Sequence, residues 1–305
     1  MTPDEALKLQ ISGRYSELLR SALDEQSRAQ AEGRKPDQFT WTLFVVKACR
    51  FIGRTNEAIV HAGHGMELAK ELGGPAVLAQ AQFGLAMACK CARRYDEALD
   101  LLRSAAQTLP TAASEETRAA ILLETAETAL EAGQRKDAAT ALTRGSAIVH
   151  WLGEPRLLAW SLYLRSQLEE VSPADLQLTA AYEIARTVGC PELQWQILWR
   201  LAERAEQYGR ENMQEEFTHR AIDILARLAA PLHPSDATPF WRQGARRHFV
   251  ELTQKRYGAE FLKKVMLAPP IDPGHTPGLM RDMGWDPSLI PEFIRAKLAS
   301  QVQRP

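Results

Sequence analysis

The chain has 305 residues, of which 45% are hydrophobic and 25% charged, and its formal net charge is −1. That profile belongs to a globular protein with ample material for a core, and the near-neutral balance supplies no global field to draw in nucleic acid or an anionic membrane. No apolar run approaches the roughly 20 residues needed to cross a bilayer, and "MTPDEALKLQ" lacks the basic and apolar regions of a secretory signal, so a cytoplasmic protein without membrane contact is expected. The four cysteines, Cys49, Cys89, Cys91 and Cys190, read as reduced thiols packed in the interior.

In chain order, the first predicted element is a helical hairpin over residues 2–32, turning at Gly13. It carries Glu25 where later copies place glycine or alanine, as suits a polar capping repeat. Hairpins follow over 37–72, 75–110, 114–152, 155–188 and 191–230. Their turns hold Gly53, Arg93, Gly133 and Gly209, and the fifth uses "EEVSPAD" (Glu169 to Asp175) instead. Twelve positions after each of these single-residue turns stands a small residue: Gly65, Ala105, Gly145 and Ala221, with Ala181 in the fifth copy. A third column holds Leu72-Gly73, Leu152-Gly153, Val188-Gly189 and Leu228-Ala229, followed by Pro75, Pro155, Pro191 and Pro231. From the second copy to the sixth, the columns advance by the same steps, equal except for a slightly shorter one into the fifth copy. Independent columns that share one set of steps identify an internal repeat.

The punctuation is that of helix pairs. Proline opens the first helix, where its missing N–H costs nothing, and glycine closes a helix by taking the left-handed conformation. Apolar spacing between these marks is helical, as at Leu78, Ala81, Leu85 and Ala88, so essentially no sheet is expected. The small column lets a neighbouring helix approach to about 8 Å. One hairpin cannot bury its apolar face alone, so the copies must stack.

The pairs Glu57-Ala58, Glu97-Ala98 and Asp137-Ala138, with Leu102 and Leu142 four positions beyond the last two and the small column after them, resemble the tetratricopeptide-repeat family in a long-helix form. The family's small residue on the first helix falls at Ala86, Ala126 and Ala202, whereas Val46 and Leu162 occupy it in two other copies. The resemblance covers residues 1–232 and implies an all-α fold: a right-handed α-solenoid of antiparallel helix hairpins with a C-terminal capping helix and an extended arm.

After Pro231, "PLHPSDATP" reads as a linker and "FWRQGARRHFVELTQKRYG" as one amphipathic helix ending at Gly258. A short helix over 259–267 completes a cap spanning 233–267. Residues 268–305 begin with the proline- and glycine-rich "APPIDPGHTPG" and end in a short predicted helix, "DPSLIPEFIRAKLAS". This arm carries Leu279, Met280, Met283, Trp285, Leu289, Ile290, Phe293, Ile294 and Leu298, too many large apolar groups for a disordered tail. It is expected to pack on the repeats, with Trp285 and Phe293 as anchors. It would serve as a cap, as an occupant of the groove, or as the contact of a homo-oligomer.

No phosphate loop, nucleophile elbow or paired-cysteine zinc pattern occurs, and no catalytic residue, cofactor or metal is expected. Glu57, His61 and His64 share a helix face at metal-ligand spacing, but a polar outer face is the favoured reading. The basic residues Arg242, Arg246, Arg247, His248, Lys255, Lys263 and Lys264 read as a solvated helix face rather than a phosphate-binding patch, which disfavours a nucleic-acid partner.

In the family resembled, first helices line a concave groove. Carried over to this sequence, the groove positions are Leu43, Lys47 and Arg50; Gln80, Phe83, Met87 and Lys90; Leu123 and Glu127; Arg156, Ala159 and Tyr163; and Gln196, Trp199, Glu203 and Glu206. The strongest candidates are Lys47, Arg50, Phe83, Met87, Lys90, Glu127, Arg156, Tyr163, Trp199 and Glu203, which mix aromatic and sulfur anchors with charges that are basic early and acidic late. The asparagine and lysine set that grips a C-terminal carboxylate in chaperone-binding members is absent, because the only asparagines, Asn56 and Asn212, start second helices. The expected function is a non-catalytic scaffold that binds a protein or peptide in the groove. The alternative is a peptide-sensing regulator whose superhelix changes on ligand binding.

Overall fold

A computed structural model describes the backbone of residues 1–169 and 171–267, and their side chains apart from 171–174 and 264–267. The C-terminal arm, 268–305, lies outside the described residues. Among the described residues the chain forms fifteen α-helices and no strand. It divides into two compact units, one of residues 1–148 and 231–244, the other of 149–230 and the chain from 245 on.

In the first unit the pairs are α1 (Pro3–Ile11) with α2 (Tyr15–Ala31), α3 (Lys35–Ile52) with α4 (Thr55–Leu72), and α5 (Pro75–Cys91) with α6 (Tyr95–Thr108). Then come α7 (Glu115–Glu131) and α8 (Arg135–Leu152), the latter counted here to residue 148. The first helices α1, α3, α5 and α7 pack on one another in a row, and α2, α4 and α6 pack between them as a second layer. Gly13, Gly53 and Gly133 take left-handed backbone at the hairpin turns, and Arg93 takes the same conformation at φ 59°. The recurring basic turn residue then ties down the second helix: Arg14, Arg54 and Arg94 pair with Glu17, Glu57 and Glu97 across its first turn.

The small column sits at helix crossings. A Cβ on Gly65 would touch Thr42 of α3 at 3.5 Å, and one on Gly145 would press on Leu122 and Leu123 of α7 at 3.2 Å. Ala105 is fully buried in a cluster with Ala79, Ala86, Leu102, Leu109 and Ile121.

In the second unit α9 (Pro155–Ser166) packs on α10 (Val171–Thr187), α10 on α11 (Pro191–Gln207), and α11 on α12 (Glu211–Ala229). Helix α9 is more than a turn shorter than α3, α5, α7 and α11, which accounts for the shorter step of the repeat between Gly145 and Ala181. Helices α14 (Gly244–Tyr257) and α15 (Ala259–Leu267) follow, and α15 packs on α12.

The segment after Pro231 corrects two expectations. The stretch read as a linker is helical: α13 spans Pro234–Arg242, opened by Pro234 and capped by the His233 ring, which accepts from the Ser235 N–H. The helix read as continuous to Gly258 breaks at Gln243, whose backbone is extended (φ −59°, ψ 135°), and resumes as α14. Pro239 inside so short a helix argues against it locally. Tertiary contact overrides it, because α13 packs against α3 and its Asp236 is 2% exposed. No described helix is long and apolar enough to cross a membrane.

Candidate functional site

The row α3–α5–α7 of the first unit carries six of the ten strongest candidates. Arg50 and Lys90 stand one repeat apart, so they occupy equivalent positions in the last turns of α3 and α5. Helix α7 answers with Glu124, Glu127 and Glu131, whose spacing of three and four positions places them on one face. Lys90 Nζ lies 2.5 Å from Glu124, 2.7 Å from Glu127 and 3.9 Å from Glu131. Arg50 reaches Glu124 at 3.2 Å and also donates to the Met87 sulfur at 3.0 Å. Helix α5 packs between α3 and α7, so Arg50 extends past it to bond the next helix in the row.

These groups are sunk into the protein: the Glu124 and Lys90 side chains are 2% and 6% exposed. Burial alone would lower the Lys90 pKa, but Glu124, Glu127 and Glu131 outweigh it and hold the ammonium charged. Burial likewise opposes ionisation of Glu124, and Arg50 and Lys90 overcome it to hold the carboxyl below its ordinary range. Glu131 goes the other way. Its burial, then the neighbouring Glu127 and Glu124 charges, raise its pKa against the pull of Lys90.

Met87, Lys90 and Glu127 thus come together with Arg50 around Glu124. The Lys47 ammonium lies 5.1 Å from the centre of the Phe44 ring, and Phe83 is half-buried against the alanine-rich core of α5 and α6. Leu43 is half-buried beside Phe39, Leu68 and Ala81, and Gln80 is exposed. The residue missed from sequence is Glu124. Its signal was a glutamate inside the apolar run "AAILLETA", in register with two more acids and facing a basic column.

In the second unit Tyr163 is 6% exposed and Arg156 lies 3.9 Å from Glu154. Glu203 pairs with Arg200 at 2.7 Å. Trp199 stacks on Trp195 at 6.2 Å and lies against Phe249 and His248 of α14, so its ring is part of the packing between α11 and the C-terminal helices. Arg246 departs from the solvated face expected of the basic run: it is fully buried and bonds Glu192 at 2.7 Å. Glu57 is engaged by Arg54, and among the described residues no three His, Cys, Asp or Glu are placed to hold a metal ion. Burial raises the Cys49 thiol pKa to about 12 and those of Cys89 and Cys190 to about 11, leaving little thiolate at neutral pH.

No protein-family model matches the chain, and no curated protein sequence matches it. Its fold is similar to that of a Rap protein whose crystal structure was determined in complex with competence and sporulation factor, with a TM-score of 0.62 and 13% identity. The match covers 74% of this chain and 63% of the Rap protein, less than two thirds of that chain. At this identity the likeness is one of fold: an all-α protein of the helical-repeat, α-solenoid class.

Proposed function

We propose that the chain is a non-catalytic helical-repeat protein that binds a peptide or protein segment along the row α3–α5–α7 of its first unit. The observation that carries the reading is the shared fold with a Rap protein crystallised with a bound factor. The composition of the row supports it. The row carries half-buried Leu43 and Phe83 as well as Lys47, while the deeper charges of Arg50, Lys90 and Glu124 are engaged with one another rather than poised for proton transfer. A cytoplasmic setting fits the same reading.

The reach of Arg50 from α3 to α7 favours a regulatory version of this function. A ligand whose own charge draws Arg50 or Glu124 away would release the spacing of three helices at once, and binding would be read out as a change in the first unit. Peptide-display selection on the full-length protein tests the site. Selected ligands should bind Phe83→Ala and Lys47→Glu about 30-fold more weakly, the loss of about 2 kcal/mol typical of a hot spot. Ligands that bind both folded variants as tightly as the parent would remove the row from consideration.

A further inference from the structure

Helix α13 is recognised by the first unit through individual side chains, in the manner of a bound peptide. Asp236 is 2% exposed; its carboxylate accepts from Ser16 at 2.5 Å and from Arg54 Nε at 2.7 Å, with Arg54 Nη2 at 2.5 Å. Four positions on, and so on the same face, Phe240 is fully buried. Between them the Pro239 carbonyl enters a notch at Gly53, where an added Cβ would collide with its oxygen. The backbone N–H of His233 donates to Ser16 Oγ at 3.1 Å, and Gln243 Nε2 donates to the Arg50 carbonyl at 3.3 Å. These partners come from the start of α2, the last turn of α3 and the turn that follows it.

The receiving surface is specific to one copy of the repeat. Arg14, Arg54 and Arg94 all pair with the glutamate three positions on, and Arg54 in addition bonds a second carboxylate, that of Asp236. The segment is short, and extended backbone stands at both of its ends, ψ 145° at His233 and ψ 135° at Gln243. Two buried side chains and a few polar contacts hold it, which is the local character of a segment that opens without global unfolding.

We propose that the surface formed by Ser16, Gly53 and Arg54 is a recognition site for a short acidic, proline-containing helical turn, which the chain fills with its own α13 and can exchange for a matching segment. The determinants are a carboxylate for Ser16 and Arg54, an aromatic ring four positions later, and a backbone carbonyl that requires glycine opposite it. This site meets the row proposed to bind ligand only at the Arg50 backbone carbonyl, and the inference does not depend on that reading.

The test uses a fluorescein-labelled peptide of residues 231–244 and the full-length protein. In the variant Asp236→Ala with Phe240→Ala the tethered segment loses both anchors, and the added peptide should bind, raising its anisotropy. Wild type should bind it at least about tenfold more weakly, because its own segment competes at an effective concentration on the order of millimolar. A peptide with alanine at the aspartate position should fail to bind the variant. Equal binding to both proteins, or none to a variant of unchanged helicity, overturns the proposal. Wild-type amide exchange gives a check that needs no variant. Residues 234–243 should exchange faster than α3 and α5, and protection equal to those helices would show that the segment does not open and also overturn it.

Discussion

A carboxylate in an apolar interior is normally driven to its neutral form. Glu124 stays ionised because two cations from two other helices converge on it. Replacing it by glutamine leaves Arg50 and Lys90 buried beside each other, and breaking a buried pair in this way costs about 3–5 kcal/mol. We expect urea unfolding to show Glu124→Gln less stable than wild type by that amount. The pH dependence has a definite sign. A carboxyl held below its ordinary value of 4.5 contributes stability above that value and loses it as pH falls through the lower, folded pKa. Wild type should therefore lose stability below about pH 4.5 more steeply than Glu124→Gln, and parallel acid titrations of the two would show that the cluster does not stay charged. Lys90 and Glu127 were legible as groove positions because the repeat numbering carries them over. Glu124 was not, since one glutamate within "ILLETA" looks like the exposed position of an amphipathic helix, and its cations come from the first helices of the two preceding repeats.

At the scale of elements, the hairpins were readable because their start and stop signals are local: proline at a first helical position and a left-handed turn residue. Helix α13 was not, because Pro239 in its interior speaks against a helix and what holds it is a carboxylate bonded to Ser16 and Arg54, far earlier in the chain. The small column is where element packing can be tested. Gly145→Leu must push against Leu122 and Leu123, both already within contact distance of an added Cβ. Overpacking of this kind costs about 1–3 kcal/mol. Arg103→Leu, on the outside of α6 at 65% side-chain exposure, should change stability by no more than about 0.5 kcal/mol. Equal melting shifts for the two would mean that the column does not mark a helix crossing.

At the scale of the whole molecule, the repeat could be read from sequence because it is one-dimensional, each copy repeating the same local pattern. The division into units could not, because the chain enters the first unit twice. A chain ending at Ala230 loses its last residues from the second unit, yet it also strips α13 from the first. Ser16 and Arg54 would then have no Asp236 to bond, and amide exchange should quicken at residues 14–17 and 53–57, far in sequence from the cut. Unchanged exchange there would show that α13 contributes nothing to the fold it rests on. The same interleaving bears on synthesis. The first unit is interrupted after residue 148 and is not complete until residue 244. A ribosome adding about 5–20 residues per second makes that intervening stretch in about 5–20 s. Through that interval the first unit waits with the notch at Gly53 uncovered, while helices of the second unit emerge behind it. The unit begun before residue 149 is thus completed only after residues 149–230 of the other have been made.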